Sequence, residues 1–136
     1  MTDLIMVDMS ATLFHHGHVR LLQKASELGR VIVALTTDDE VNEKKGYTPE
    51  LSFSERKEIL LSIRYVDEVV PSPWLITEEF LDLHKIDVLV HGDDHQNPIP
   101  AYRTVLFPRT QGISSSELRK KVMEVVKIQK DKHESP

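Results

Sequence analysis

The feature that most constrains this chain is an alternation: short apolar runs rich in β-branched residues are separated by stretches with a helical period. Leu4–Val7 reads as a first buried strand. Val19, Leu21, Leu22, Ala25 and Leu28 then fall on one helical face, and Gly29 is suited to stop that helix. Val31–Leu35 reads as a second strand. The polar stretch from Thr37 to Leu51, with Lys44-Lys45-Gly46 and Pro49, reads as a loop or irregular turn. Ser52-Phe53-Ser54-Glu55 has capping-box spacing and opens a helix running through Ile59, Leu60 and Ile63. Val66–Val70 is expected as a third strand ended by Pro71, Thr77–His84 as a helix, and Ile86–His91 as a fourth strand. Val105–Phe107 follows as a short fifth strand, and a last helix runs from Ser114 to about Val126.

Strands that are apolar on both faces and separated by helices imply a parallel sheet covered on both sides. In such sheets ligands bind beyond the carboxyl ends of the strands. Polar residues suited to chemistry follow every strand here: Ser10–His18, Thr36–Lys45, Pro71–Trp74, His91–His95 and Arg109–Ser114. The distribution predicts one crevice along one edge of the sheet.

Composition removes several classes. With 136 residues the chain suits one domain, expected over residues 1–126, with 127–136 as a charged, frayed tail. A formal net charge of −5 argues against a general nucleic-acid binder. There are no cysteines, hence no disulfides or thiolate metal sites. No apolar run approaches the roughly 20 residues that cross a bilayer, and Met1-Thr2-Asp3 lacks the start of a signal peptide. The default expectation is a cytoplasmic protein without membrane insertion.

Within the first polar segment, His15 and His18 flank Gly17 where the chain passes into a helix. Free backbone N–H groups and the positive helix end attract anions there, so two imidazoles at this point suggest a phosphate site. His16 between them reads as a spacer pointing away. His91 reads equally as a ligand neighbour or as the polar end of a strand. Lys44-Lys45 alone fits a solvated loop, Asp93-Asp94 a simple turn, and Trp74 packing as readily as a contact.

The His15-x-Gly17-His18 loop, the Gly92-Asp93-Asp94 turn and the Arg109-Thr110-x-Gly112-Ile113-Ser114 segment occur in this order in small cytidylyltransferases. Over roughly residues 3–125 the chain resembles the glycerol-3-phosphate cytidylyltransferases, supported by Ser52-x-x-Glu55-Arg56-Lys57 and Ile63-Arg64-Tyr65-Val66-Asp67-Glu68-Val69. The histidine motif alone marks the wider nucleotidyltransferase superfamily; the Arg109 segment narrows it to cytidylyl transfer.

The resemblance implies a Rossmann-like nucleotidyltransferase fold with a five-stranded parallel sheet flanked by helices, and a homodimer. It implies CTP, a small phosphorylated acceptor and Mg²⁺, with no metal ligands assigned. His15, His18, Lys45 and Arg109 match the catalytic positions. Ser10, Ala11, His18, Asp94, Arg109, Thr110, Gly112, Ile113, Ser114 and Ser115 match nucleotide-binding ones. Lys44, Arg56, Arg64 and Trp74 fall where the family shapes the acceptor side, and Lys44 is the alternative to Lys45 for reaching the phosphates.

The match is incomplete at three places. Met9-Ser10-Ala11-Thr12 stands where the family has Gly-Thr-Phe-Asp, so Thr12 replaces a carboxylate while Ser10 keeps a hydroxyl. His95 stands for a frequent tryptophan, and Gln111 for a glutamate. Glycerol 3-phosphate is the best single acceptor on this reading. Phosphoethanolamine, phosphocholine, another polyol phosphate or a phosphonate are alternatives, and a nucleotide-binding protein without turnover is the third reading.

Overall fold

The computed structural model describes residues 3–92 and 96–134. Five parallel strands form one sheet: β1 (Leu4–Met9), β2 (Arg30–Thr36), β3 (Glu68–Ser72), β4 (Val88–Gly92) and β5 (Thr104–Phe107), in the spatial order β3-β2-β1-β4-β5. The helices are α1 (His16–Ser26), α2 (Asp38–Lys45), α3 (Phe53–Leu61), α4 (Glu78–Leu83) and α5 (Ser115–Glu134), with a single 3-10 turn at Ala101–Arg103 before β5. This is the expected Rossmann-like α/β architecture. Its strand order reverses between β1 and β4, which opens a crevice at their carboxyl ends.

The pleat divides the core in two. Ile5, Val7 and Met9 of β1, with Val31, Val33 and Leu35 of β2, face Leu22 and Ala25 of α1 and Leu60 of α3. Met6, Ile32, Ala34, Val70 and Leu89 face the other way, against Ile76, Leu81 and Ile86. Each of the larger buried side chains, Val, Leu, Ile and Met, contributes about 1.5–3 kcal/mol. Asp8 shares this second face and is a polar exception at its carboxyl end.

Several expectations are corrected. The stretch expected as a loop contains α2: Thr37 accepts from the Glu40 amide, Asp38, Asp39 and Glu40 fill the first turn, and Lys44 and Lys45 the last. These charges complement the helix dipole, and Gly46 ends the helix in the left-handed region at φ 78°. Pro71 lies inside β3 rather than ending it; β3 is an edge strand, where a missing N–H is tolerated. Gly29 is not a left-handed helix stop. α1 ends at Ser26, and a Cβ on Gly29 would lie 2.3 Å from the Asp3 carbonyl oxygen, so glycine is needed for close approach. The charged run after Val126 continues α5 to Glu134, since no glycine or proline interrupts it there. The capping box at Ser52 and Glu55 forms as expected. Among the described residues no helix is long and apolar enough to cross a membrane.

Candidate active site

Beyond Met9 the chain makes a tight turn before α1. Ala11 sits at φ 45°, a left-handed conformation that is costly for a residue with a Cβ, and its side chain is buried. Such strain persists only where surrounding contacts enforce it, and here they do. The Ser10 carbonyl accepts from Arg56 Nη1 at 2.6 Å. Ser115 Oγ donates to the Leu13 carbonyl at 2.9 Å and accepts from the Leu13 amide at 3.2 Å. Thr12, only 2% exposed, accepts from Arg119 at 3.4 Å.

The turn delivers two imidazoles that cap α1 reciprocally. His15 Nδ1 accepts from the Gly17 amide at 3.1 Å, and the His15 amide donates to His18 Nδ1 at 3.1 Å. Because both δ nitrogens are acceptors, each neutral ring carries its proton on Nε2, where it can be donated to an oxygen. The ring centroids lie 3.9 Å apart, and Phe14 stacks on His18 at 5.2 Å. Burial, followed by the charges of His15 and Arg109, pulls His18 down to about 3. Burial, His16 and Arg109 lower His15 as well, partly offset by Glu117. The site therefore offers two neutral N–H donors. A Cβ on Gly17 would lie 2.8 Å from His15 Cε1 and 2.9 Å from Nδ1, so a side chain there would push the His15 ring out of its capping position.

The segment after β5 closes the other side. Arg109 is exposed, and its charge acts on both histidines. Thr110 is half-buried, Gly112 turns the chain at φ 77°, and Ile113 approaches Gly17. Ser114 Oγ accepts from the Glu117 amide at 3.0 Å and so caps α5. The hydroxyl of Ser115, expected to meet phosphate, is committed to Leu13 and fixes the turn instead.

The acceptor-side expectations divide. Lys45 Nζ lies 5.6 Å from the Trp74 ring centroid, so the end of α2 and the segment after β3 do converge; Lys44 beside it is exposed. Arg56 is not an open contact: it is 1% exposed and donates to Leu51 O (3.1 Å), Ser10 O (2.6 Å), Thr36 O (2.9 Å) and Asp38 Oδ1 (2.7 Å). It ties four segments together from beneath. Arg64 precedes β3 and therefore stands at the amino edge of the sheet, where it lies over Tyr65 and donates to its hydroxyl at 2.8 Å. It does not join the histidines. Asp94 lies outside the described residues.

Two features were missed. Asp8, 8% exposed, pairs with His91 Nδ1 across the β1–β4 junction and accepts from Asn97 Nδ2 at 3.1 Å; Asn97 in turn accepts from the Ile76 amide at 2.7 Å. An acidic residue inside an apolar strand was the available signal. Arg119, one helical turn after Ser115, donates twice to Glu50, at 2.6 and 2.8 Å. Among the described residues, no group of three His, Asp or Glu side chains could hold a metal ion.

Residues 10–105 match the cytidylyltransferase-like family. The chain is 37% identical over 115 residues to the glycerol-3-phosphate cytidylyltransferase of Bacillus subtilis, covering 81% of this chain and 89% of that one. It is 35% identical to the glycerol-3-phosphate cytidylyltransferase of Staphylococcus aureus, over 81% of this chain and 87% of that one. The ethanolamine-phosphate cytidylyltransferase of Mus musculus is also 35% identical, over 83% of this chain but 31% of its own length. A solved lipopolysaccharide core biosynthesis protein from Thermoplasma volcanium shares the fold, with a TM-score of 0.61 at 17% identity over 92% of this chain and 89% of that one.

Proposed function

The chain belongs to the cytidylyltransferase-like family, and on that premise we propose that it transfers CMP from CTP to glycerol 3-phosphate, releasing pyrophosphate and forming CDP-glycerol. The observation that carries the chemistry is the His15–His18 pair, two neutral imidazoles presenting Nε2–H beside the Arg109 charge. The choice of acceptor rests on likeness to glycerol-3-phosphate enzymes along nearly their whole length.

In this reading an acceptor phosphate oxygen attacks the α-phosphorus of CTP in line. A new P–O bond forms as the bond to the β-phosphate bridging oxygen breaks, and that oxygen leaves with its electron pair on pyrophosphate. Such transfer depends on positioning and on neutralising charge that spreads over phosphoryl oxygens. His15 and His18 donate to those oxygens from a partly desolvated site, where a fixed donor is worth more than in water. Arg109 and Lys45 supply positive charge, with Lys44 the alternative lysine. Ser10, Ala11, Thr110, Gly112, Ile113 and Ser114 shape the wall against which the nucleotide lies, and Trp74 borders the acceptor side.

Mg²⁺ fits this site as part of the substrate. The ion keeps several waters and binds mainly through phosphates rather than an all-protein cage. The donor set suits that use: Asp8 is committed to His91 and Asn97, Glu50 to Arg119, and no group of three described His, Asp or Glu side chains could cage an ion. When bound, the ion would neutralise the departing pyrophosphate. The reading extends to a homodimer acting in the cytoplasm; the net charge of −5 does not suit a nucleic-acid partner.

Phosphoethanolamine or phosphocholine is the second acceptor class, favoured by the relatives that carry those names, although the chain spans less than half the length of those relatives. The deciding experiment is pyrophosphate release from CTP with Mg²⁺ across glycerol 3-phosphate, phosphoethanolamine, phosphocholine, other polyol phosphates and 2-hydroxyethylphosphonate, with ATP as the alternative donor. Release with CTP and glycerol 3-phosphate alone is expected. CTP binding without release on any acceptor would instead favour a non-catalytic binder.

A further inference from the structure

We propose that Arg119 is a positioning residue: it holds the segment between α2 and α3 against the histidine turn and thereby sets where Lys45 stands. This rests on the transferase reading only for the consequence on rate.

The geometry is that of a clamp. From α5, the Arg119 guanidinium meets both carboxylate oxygens of Glu50, lies 4.5 Å from the Tyr47 ring centroid, and reaches Thr12 Oγ1 at 3.4 Å. Paired N–H···O bonds to a carboxylate fix direction as well as distance, and the face of an aromatic ring adds attraction for the cation. Arg119 hydrogen bonding keeps Glu50 below the usual carboxylate range, so the pair persists to lower pH than an isolated carboxylate would allow. One residue thus touches two segments far apart in sequence, the histidine turn and the α2–α3 connection.

The connection transmits that hold to Lys45. Tyr47 follows it by two residues, across the left-handed Gly46. The Gly46 amide donates to the Asn42 carbonyl at 2.8 Å, and Asn42 Nδ2 donates to Thr48 Oγ1 at 3.4 Å. Helix end and connection therefore move together. At the other end, Arg56 Nε grips the Leu51 carbonyl. Without Arg119 the connection keeps its Leu51 anchor but loses the one nearer the lysine.

The chain supplies its own reporter. Trp74 is the sole tryptophan, and Lys45 Nζ lies over its ring. In the full chain, Arg119→Ala is expected to change iodide quenching of Trp74 by roughly twofold and to speed trypsin cleavage after Lys44 or Lys45 by about tenfold. Glu50→Gln should move both readings in the same direction, the double variant no further than Arg119→Ala, and Arg119→Lys should fall between. CTP-dependent turnover in Arg119→Ala should drop by about tenfold or more, through misplacement rather than lost chemistry. Unchanged quenching and cleavage in Arg119→Ala would overturn the proposal, as would a slower rate with Trp74 undisturbed. Should Arg119→Ala not fold, Glu50→Gln and Arg119→Lys decide by the same two readings. A wild-type chain with no turnover on any acceptor would sink the transferase reading, while quenching and cleavage would still judge the clamp.

Discussion

Two irregular segments meet at the carboxyl edge of the sheet, and the same two arginines hold both on different terms. The turn from Ser10 to His15 is gripped through its backbone: Arg56 takes the Ser10 carbonyl and Ser115 takes both polar groups of Leu13, while Ala11 and Thr12 are buried. The connection from Gly46 to Leu51 is half exposed, with Pro49 buried; Arg56 takes its last carbonyl, at Leu51, but nearer Lys45 Arg119 reaches it through the side chains of Tyr47 and Glu50. Backbone anchoring under cover suits donors that must not move. Side-chain anchoring at the surface suits a lysine that, on the proposed function, meets an incoming polyphosphate. The contrast separates a preorganised half of the site from an adjustable one.

The largest test of that division is His18→Ala. Turnover should fall by roughly 10²–10⁴-fold while the CTP dissociation constant changes far less. Pyrophosphate release and equilibrium CTP binding measured on the same preparation check this, and an unaltered rate would remove His18 from the chemistry. Next comes Arg56→Met, which removes the guanidinium from the buried Thr36 carbonyl and the partly buried Ser10 carbonyl. Denaturant unfolding should show a loss of about 3–5 kcal/mol.

A pH titration of stability sharpens the comparison further. His18 in the folded chain sits at about 3, below its ordinary 6.5, so between those values the unfolded chain binds more protons. Stability must then fall as pH drops below 6.5, by at most about 3 kcal/mol at pH 4, and this contribution levels off below pH 3. His18→Asn should flatten that slope when unfolding midpoints are compared across pH. The smallest effect is Glu50→Gln, whose surface pair with Arg119 should contribute no more than about 1 kcal/mol to unfolding. A large loss there would erase the distinction between the two segments.

Much of the frame was legible because its signals are local. The Ser52–Glu55 box and the β-branched runs each lie within a few residues of what they specify. α2 was misread because its apolar face is almost absent, Val41 being its one buried residue; its cap and its charge order carry the helix instead. Arg56 could not be read correctly from sequence. Its partners are mostly carbonyls, which every residue has, and they lie up to 46 positions away. Arg64 was misplaced despite an available rule: it precedes its strand, and only residues that follow strands reach the crevice. Ser115 was brought to the right place but its hydroxyl is spent on structure.

Pro71 in β3 has a consequence for association. The Ser72 carbonyl accepts from the Thr37 amide on the β2 side, so Pro71, its neighbour in the pleat, faces the open margin of the sheet. That margin lacks a donor near the carboxyl end of a short strand, which makes it a poor template for a strand from another molecule. Two copies of this chain would therefore pair through side-chain surfaces rather than by extending the sheet past β3, and crowding should not readily turn this edge into a seed for aggregation.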